Sequence, residues 1–285
     1  MILDGTTALI TGANRGIGLA LAQQLSLQGA RILLAGRDSH ACAEEARQMR
    51  TNGCSAEAYD AVFDAACPRS THRLGQYCEE EEVDVLVNNA GVCDPGWTRE
   101  CARRTIYVNV MAPRALTHAV LPGMLRRRRG CVINISSGDG ELLYLHSALQ
   151  AHFRSIESDR ELMRVLARVA RGRDGFAFPE MPPAFGPTPA YALSKAALNA
   201  YTRLMASHMP PSAESNVWLA AVCPGDVRTR MCSLEPPEDA LMPQQAAEDI
   251  AWLISASRGN TNLGSQPHLK LESGKFWRHR EQIPW

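Results

Sequence analysis

The sequence has 285 residues, of which 45% are hydrophobic and 21% charged, and this balance excludes a disordered or fibrous protein. Its 30 basic and 30 acidic residues give a formal net charge of zero, which removes the bulk electrostatic case for binding nucleic acid or an anionic membrane. Nine cysteines without a CxxC spacing indicate neither a disulfide framework nor a zinc site, and they favour a reducing compartment.

The first residues leave no room for a secretory signal, because an apolar strand is predicted within a few residues of Met1. No apolar run approaches the length of a membrane span. We therefore expect a cytoplasmic protein that has no metal site and binds neither nucleic acid nor a membrane.

Short apolar runs alternate with stretches of helical periodicity along the chain. Strands are predicted over residues 7–11, 31–35, 56–63, 83–88, 131–136 and 217–223. Helices are predicted over residues 16–27, 39–50, 70–82, 102–125, 191–209 and 244–257, with Asp38 or Ser39 capping the second. Such alternation implies βαβ crossovers, so we expect an α/β fold with a doubly wound parallel sheet and helices on both faces.

A long polar, helix-prone stretch between Ser137 and Tyr191 interrupts this alternation. Strands of the same predicted sheet flank it, so it does not have the character of an interdomain linker. We expect one domain over residues 1–285 with a helical insertion over about residues 141–186.

A glycine-rich segment follows the first predicted strand and opens the first predicted helix, with the spacing GxxxGxG. Glycines let the backbone turn tightly and approach a pyrophosphate, whose charge then lies at a helix N-terminus. Turns also need glycine, but the position of this segment favours a dinucleotide cofactor. Its candidate cofactor-binding residues are Gly12, Asn14, Arg15, Gly16, Ile17 and Gly18.

The end of the second predicted strand indicates which dinucleotide binds. An NAD site places an acid there for the ribose 2′-hydroxyl, whereas an NADP site places a small residue and a cation. Here the strand ends in Gly36 and Arg37, and Arg37 and Arg15 together can bind a 2′-phosphate. The alternative is two surface arginines, with Asp38 as the acid, but Asp38 falls too late. We expect NADPH/NADP.

Tyr191 and Lys195 stand four residues apart on a predicted helix, so the phenol and the ammonium lie on one face. A free tyrosine has a pKa of about 10, too high for an efficient acid or base at neutral pH. A nearby lysine favours the phenolate and lowers that pKa. Taken alone, such a pair is more often surface decoration.

Five motifs occur together in one order: residues 11–18, Asn88 to Gly91, Ser136-Ser137, Tyr191-xxx-Lys195 and Pro224-Gly225. In this set the chain resembles the short-chain dehydrogenase/reductase family. The resemblance implies a Rossmann-type sheet of about seven parallel strands and a nicotinamide cofactor. It also implies that Ser137 orients the substrate carbonyl, that Tyr191 transfers the proton, that Lys195 binds the nicotinamide ribose and that Asn109 supports a proton relay.

The chemistry of hydride transfer agrees with those roles, because charge develops on the carbonyl oxygen and requires an oriented donor and a tuned acid. Ser137 follows a strand, at the edge where open α/β sheets bind ligands. In isolation, Ser137 is equally explained as a helix cap and Asn109 as a helix-bending polar residue.

Three further segments resemble cofactor contacts of the family. Asp64 resembles the acid that contacts adenine, although Asp60 competes for that position. The other segments are expected to line the cofactor and to bind its carboxamide. The candidates they supply are Ala65, Asn89, Ala90, Gly91, Pro224, Gly225, Val227 and Thr229.

The distance of 54 residues between Ser137 and Tyr191 is typical of the carbonyl reductase branch, as are the segments 149–155 and 159–166 and the ending 274–285. We expect an NADPH-dependent carbonyl reductase that transfers hydride to a ketone, aldehyde or quinone, with Tyr191 as general acid. Asp139 departs from the branch and leaves the substrate open.

Two other functions remain open. An alcohol or steroid dehydrogenase working in the oxidative direction has the same motifs, and Arg37 favours reduction because NADPH is the usual cellular reductant. A non-catalytic nucleotide sensor would be expected to lose Tyr191, Lys195 or Ser137, and none is lost.

The insertion also predicts a monomer. Family members associate through paired long helices that include the one with the catalytic tyrosine, and this requires an open, self-complementary patch. The insertion precedes that helix directly and has an apolar stripe that can cover the patch within one chain. The stripe consists of Leu149, Phe153, Ile156, Leu162, Val165, Leu166 and Val169.

Overall fold

The computed structural model describes residues 1–145, 147–171, 188–231, 237–258 and 271–285. One sheet contains the strands β1 (Thr7–Thr11), β2 (Arg31–Ala35), β3 (Ala56–Ala58), β4 (Val85–Asn88), β5 (Gly130–Ile135), β6 (Val217–Cys223), β7 (Lys275–Arg278) and β8 (Glu281–Ile283). Their order is β3-β2-β1-β4-β5-β6-β7-β8, and every pair is parallel except β7 and β8. The doubly wound Rossmann-type sheet is confirmed, with seven parallel strands and an added antiparallel one.

The strand pattern predicted neither β7, which only the resemblance to the carbonyl reductase branch implied, nor β8. The hairpin between β7 and β8 turns through His279 and Arg280, whose φ angles are 50° and 63°. Tight hairpins favour glycine or asparagine at such positions, so this turn has no sequence signal. The prediction for β3 was too long, because after Ala58 the chain bonds to β2 and its end only singly, through Tyr59 N to Leu34 O at 2.9 Å and Phe63 N to Gly36 O at 3.0 Å.

The helices are α1 (Gly16–Leu27), α2 (Ser39–Thr51), α3 (Pro68–Glu80), α4 (Arg99–Ile106), α5 (Ala112–Arg127), α6 (Ser147–Ser155), α7 (Asp159–Arg171), α8 (Pro189–Ser207), α9 (Ser212–Ser215) and α10 (Pro243–Ser257). Asp38 caps α2, since its Oδ1 accepts a hydrogen bond of 2.9 Å from Ala41 N. The helix predicted over residues 102–125 is present, but the pattern did not predict the π-helical turn, Tyr107–Met111, that joins α4 to α5 within it.

Two apolar layers cover the two faces of the sheet. Alternate residues of each central strand enter opposite layers: Leu9 and Leu33 face one, and Ile10 and Leu34 face the other. The first layer contains residues of α3, α5, α6, α7 and α8, and the second contains residues of α1, α2 and α10. Because the core covers both faces of the sheet, the edge where the strands end remains accessible to a ligand.

The insertion helices α6 and α7 belong to the first layer. Phe153 and Leu162 are fully buried there with Tyr201 of α8, and Val165 is partly buried against the same layer. An ion pair also joins α5 to α7, with Arg114 Nε 2.7 Å from Asp159 Oδ1. The side chain of Val169 and residues 172–187 lie outside the described residues. In the part of the chain that is described, no helix has the length and apolar character needed to cross a membrane.

Candidate active site

The residues singled out in the sequence lie at one edge of the sheet, where the parallel strands end. The glycine loop follows β1, Arg37 follows β2, and Asp64 and Ala65 follow β3. Residues 89–91 follow β4, Ser137 follows β5 and residues 224–229 follow β6. Because six parallel strands present their ends together, one elongated ligand can contact all of these segments.

The glycine loop needs its glycines for two physical reasons. Gly12 and Gly16 have φ angles of 66° and 57°, which side chains other than glycine rarely adopt. A Cβ at Gly18 would lie 2.5 Å from Asn89 Nδ2 and 2.6 Å from Gly12 O. No side chain among the described residues caps the N-terminus of α1 at Arg15, so its backbone N–H groups are available to an anion.

Thr11 and Asn89 fasten this loop to the end of β4. Thr11 Oγ1 accepts hydrogen bonds of 3.0 Å from both Asn89 N and Ala90 N, and Asn89 Nδ2 donates to Thr11 O at 2.9 Å. The sequence motifs predict that Asn89 lines the cofactor, but they do not indicate this role of Thr11. The hydroxyl at the last position of β1 was the available signal.

Arg15 and Arg37 are both exposed, and neither has an ion pair among the described residues. The residues that precede them in the chain lie next to each other, since a Cβ at Gly36 would lie 3.6 Å from Asn14 Oδ1. One carboxylate oxygen of Asp38 is occupied by the cap of α2. The ends of β1 and β2 therefore carry two exposed cations, Arg15 and Arg37, and an acid, Asp38, that already accepts a hydrogen bond from α2.

The two candidate adenine contacts lie in different places. The bond from Phe63 N to Gly36 O holds Asp64 beside the end of β2, and Asp64 Oδ1 accepts from Ala66 N at 3.0 Å. Asp60 instead lines a cavity of about 580 Å³ between α2 and β3.

The segment after β6 reaches back over the glycine loop. Asp226 O accepts a bond of 2.8 Å from Leu241 N, and Arg228 N donates to Leu241 O at 2.9 Å. A Cβ at Gly16 would lie 3.7 Å from Thr229 Cγ2. Thr229 is therefore next to the N-terminus of α1.

Tyr191 and Lys195 occupy the first turns of α8, and both are buried. Lys195 Nζ donates to Ile135 O at 2.7 Å and lies 5.3 Å from the centroid of the Tyr191 ring. Burial lowers the pKa of Lys195 to about 8, although Cys93, Cys223 and Asp139 act in the opposite direction.

Asn109 lies in the π-helical turn, a local distortion that is frequent at functional sites. Its Nδ2 donates 2.9 Å bonds to Val92 O and Ser194 Oγ, and its Oδ1 accepts from Val92 N at 2.9 Å. A Cβ at Gly91 would lie 3.4 Å from Asn109 Oδ1 and 3.8 Å from Lys195 Nζ. These contacts bring Asn109, Gly91 and Lys195 together, and Ser194 joins them as a partner that the sequence analysis missed.

Ser137 caps a short 3₁₀ turn, Gly138–Gly140, and its Oγ accepts a hydrogen bond of 3.2 Å from Asp139 N. A Cβ at Gly140 would lie 2.9 Å from the carbonyl carbon of Lys195, so the turn packs directly on α8. The structure therefore places Ser137 beside the helix that carries Tyr191 and Lys195.

Asp139 is exposed at this turn, yet the surrounding protein desolvates its carboxylate. This desolvation raises the pKa of Asp139, the carboxylate of Asp226 raises it further, and Lys195 opposes both. Two acidic groups thus face the same region beside Ser137.

Comparison with known proteins agrees with this arrangement. Residues 6–149 match the family model described as short chain dehydrogenase. Oxidoreductase UcpA of Salmonella typhimurium is 32% identical over 266 residues, which cover 90% of this chain and 82% of that protein. The chain belongs to the short-chain dehydrogenase/reductase family.

Within the family the chain is similar to carbonyl reductases. Carbonyl reductase (NADPH) 1 of Rattus norvegicus is 28% identical over 297 residues, which cover 100% of both chains. The structure of salutaridine reductase from Papaver somniferum shows the same fold with a TM-score of 0.75 and 22% identity, over 95% of this chain and 99% of that one. The protein is accordingly an NAD(P)-dependent oxidoreductase that acts on a small molecule.

The residues at the strand ends fit a nicotinamide dinucleotide. Side chains at Gly12 and Gly18 would fill the space beside the glycine loop, and the N-terminus of α1 offers free N–H groups for a pyrophosphate. The buried ammonium of Lys195 points to the region between Gly91 and Ile135. Among the described residues, no group of His, Cys, Asp and Glu has the arrangement of a metal site.

Proposed function

We propose that this enzyme is an NADPH-dependent carbonyl reductase, which reduces a ketone, aldehyde or quinone to the corresponding hydroxyl compound. The observation that carries the proposal is the buried Lys195 ammonium beside the Tyr191 ring, in contact with the end of β5. A buried cation next to a phenol lowers the pKa of the phenol and makes it a better proton donor at neutral pH.

The cofactor, when bound, supplies the hydride that reaches the carbonyl carbon. The other requirements fall on the protein: Tyr191 gives its hydroxyl proton to the carbonyl oxygen as negative charge develops there. Ser137 accepts a hydrogen bond from Asp139 N, which leaves its own O–H free to donate to the same oxygen. Both donors therefore stabilise charge that grows during the reaction.

Lys195 binds the nicotinamide ribose and lowers the pKa of the Tyr191 phenol. Asn109, fixed by Val92 and Ser194, would support the return of a proton to Tyr191 after each turnover. The proposal gives the remaining candidate residues the task of binding the cofactor along the edge of the sheet.

The proposed preference for NADPH rests on Arg15 and Arg37. Both are exposed cations beside the ends of β1 and β2, where a 2′-phosphate of the adenine ribose would lie. Asp38, the competing acid, is engaged in capping α2, and this weakens the case for NAD. For the adenine ring, Asp64 is better placed than Asp60, because Asp64 adjoins the end of β2.

The substitution Tyr191→Phe tests the proposal, because it removes the transferable proton and keeps the ring. We expect kcat for ketone reduction to fall at least about 100-fold. NADPH affinity, measured by quenching of protein fluorescence, should be unchanged.

The matched control is Tyr77→Phe, the same change in α3, whose half-buried ring packs against Tyr59. It should keep wild-type kcat. If Tyr191→Phe retains more than about a tenth of wild-type kcat, a difference below ~1.4 kcal/mol, Tyr191 is not the acid.

A further inference from the structure

The carbonyl oxygen of Gly140 accepts hydrogen bonds from two residues that are distant in the sequence. It accepts a hydrogen bond of 2.8 Å from the indole Nε1 of Trp285 and one of 3.2 Å from Asn199 Nδ2. On its other side, Gly140 packs against the backbone of Lys195 with no room for a side chain. The turn that Ser137 caps is therefore held between α8 and Trp285.

Trp285 is itself fixed in place. The guanidinium of Arg203 lies 5.6 Å from the centroid of its ring, and Arg203 Nη2 donates to Phe153 O at 3.0 Å and Ile156 O at 3.2 Å. The ring also packs, partly buried, against the cluster of Ala221, Cys223 and Phe276 on the sheet. These contacts define the direction of the indole N–H, because the ring lies between the sheet and Arg203 of α8, which is itself held by the end of α6.

A second contact connects the same turn to β7. Arg278 forms an ion pair with Glu141, the residue that follows Gly140, and a Cβ at Gly138 would lie 3.7 Å from Arg278 Nη2. Residues from the end of the chain thus contact the turn at both Gly140 and Glu141. No such partner for the turn follows from the sequence motifs.

The position of this turn determines what Ser137 can do. The N–H of Asp139, inside the turn, donates to Ser137 Oγ and so leaves the serine O–H free to donate elsewhere. A shift of the turn displaces that N–H and changes the direction of the serine donor. A misplacement of about 1 Å in a catalytic group can cost about 100-fold in rate.

We propose that Trp285 is a positioning residue for the reaction: its indole N–H, through Gly140, holds the 3₁₀ turn that orients Ser137. This inference rests on the carbonyl reductase mechanism proposed above. Trp285 contacts Gly140, Arg203 and the cluster around Phe276, which lie away from the glycine loop in the sheet order, so its effect should appear in the chemical step and not in cofactor binding.

The test is a double-mutant cycle with Trp285→Phe and Ser137→Ala. Phenylalanine keeps an aromatic ring for Arg203 and removes the N–H that Gly140 accepts. We expect Trp285→Phe to lower kcat about tenfold, equivalent to ~1.4 kcal/mol, with unchanged NADPH affinity. In the Ser137→Ala background the same substitution should have no further effect on kcat.

Trp252→Phe is the matched control, since Trp252 of α10 also lies under an arginine, Arg280, at 5.7 Å. It should leave kcat unchanged. Thermal unfolding of each variant sets a temperature at which all are folded. A further cycle pairs Gly140→Ala, which displaces the same turn from the side of α8, with Ser137→Ala, and it should show the same coupling.

The possible failures are distinguishable. Equal losses from Trp285→Phe in both backgrounds, or an unchanged kcat, would overturn the positioning role of Trp285 and leave the proposed function standing. Wild-type activity of Ser137→Ala would overturn the role of Ser137 in the proposed function, and the inference about Trp285 with it.

Discussion

The glycine loop and the turn after Ser137 are both short segments that follow a parallel strand, but they are held in different ways. The glycine loop depends on its own backbone: two residues of positive φ and one close approach, with a fastening from the neighbouring strand end. The turn at residues 138–140 depends on partners from remote parts of the sequence. Trp285 lies 145 positions from Gly140, and Arg278 lies 137 positions from Glu141.

The difference agrees with the roles proposed for the two segments. A pyrophosphate is bound by backbone N–H groups, so the local chain conformation is sufficient. A catalytic hydroxyl must point at one atom of the substrate, and this requires side chains that fix the turn from several sides. We therefore expect substitutions in the two segments to have separable effects.

Two glycine substitutions compare the two segments directly. Gly18→Ala introduces a Cβ 2.6 Å from Gly12 O and should weaken NADPH binding, whereas Gly140→Ala meets the Lys195 backbone and should lower kcat with cofactor affinity unchanged. Overpacking costs about 1–3 kcal/mol, so each change should amount to about 5- to 150-fold. Equilibrium binding and steady-state kinetics separate the two quantities.

Gly138→Ala is the control for this pair, because a Cβ there would meet only ordinary contacts of 3.7 Å or more. It should leave both NADPH affinity and kcat close to their wild-type values. If Gly18→Ala and Gly140→Ala reduced cofactor affinity equally, the two segments would not be separable.

The charge reversal Arg37→Asp examines the cofactor side alone. An acid at this position repels a 2′-phosphate and accepts a hydrogen bond from a ribose hydroxyl, so the kcat/KM ratio of NADPH to NADH should fall. A charge-assisted hydrogen bond contributes about 1.5–3 kcal/mol, which predicts a change of about 10- to 150-fold.

Arg47→Asp is the matched variant, since Arg47 is an exposed arginine of α2 that pairs with Glu44. The ratio should stay at its wild-type value in that variant. An unchanged ratio in Arg37→Asp would show that Arg37 does not contact the cofactor.

The pH dependence examines the catalytic side. Because burial lowers the pKa of Lys195 to about 8, its ammonium is lost as the pH rises through that value. We expect kcat/KM for ketone reduction to fall about tenfold for each pH unit above 8. The groups that act on Lys195 in the opposite direction are Cys93, Cys223 and Asp139.

As the pH rises above 8, the contribution of Lys195 to stability should increase while kcat/KM falls. Between pH 8 and the ordinary lysine pKa of 10.5, the unfolded chain holds a proton that the folded chain has released, so the contribution of Lys195 to the free energy of unfolding increases with pH. Comparing wild type with Lys195→Met by denaturant unfolding isolates this contribution. A kcat/KM that stays level to pH 10 would contradict the lowered pKa.

The last prediction is that the protein is a monomer, because the insertion covers the surface of α8. Phe153 and Leu162 pack against α8, and the Arg114–Asp159 ion pair holds α7 on α5. Sedimentation at micromolar concentration should show a single species near 31.2 kDa. Leu162→Asp, which would displace α7, should then promote association, whereas a stable wild-type dimer or tetramer would contradict the prediction.

The parts of the fold that depend on local pattern were predicted well. Strand and helix periodicity predicted six of the seven parallel strands and the helices on both faces, the family resemblance implied about seven strands, and the motifs from Thr11 to Pro224 indicated the family. Errors occurred where tertiary contacts override local preference. The π-helical turn and the hairpin at residues 279–280 are examples, since Asn109 donates to Val92 and Ser194, and Arg280 donates to Asp249 of α10.

Tyr191, Lys195 and the glycine loop could be named from the sequence because each pair of functional groups lies within a few residues on one element. The division of the chain into one domain and the roles of the individual site residues remain predictions. Thr11, Ser194, Gly140 and Trp285 could not be found in this way, because their partners are distant in the sequence.

The sequence by itself thus determined that the candidate residues gather at one edge of the sheet, since strand ends, glycines and the spacing of Tyr191 and Lys195 are properties of adjacent residues. Only the tertiary structure decided what holds the turn after Ser137 and how Lys195 is buried. Both depend on the packing of the turn at Gly140 against α8 and Trp285, and a burial or a hydrogen bond exists only once segments far apart in the chain have come together.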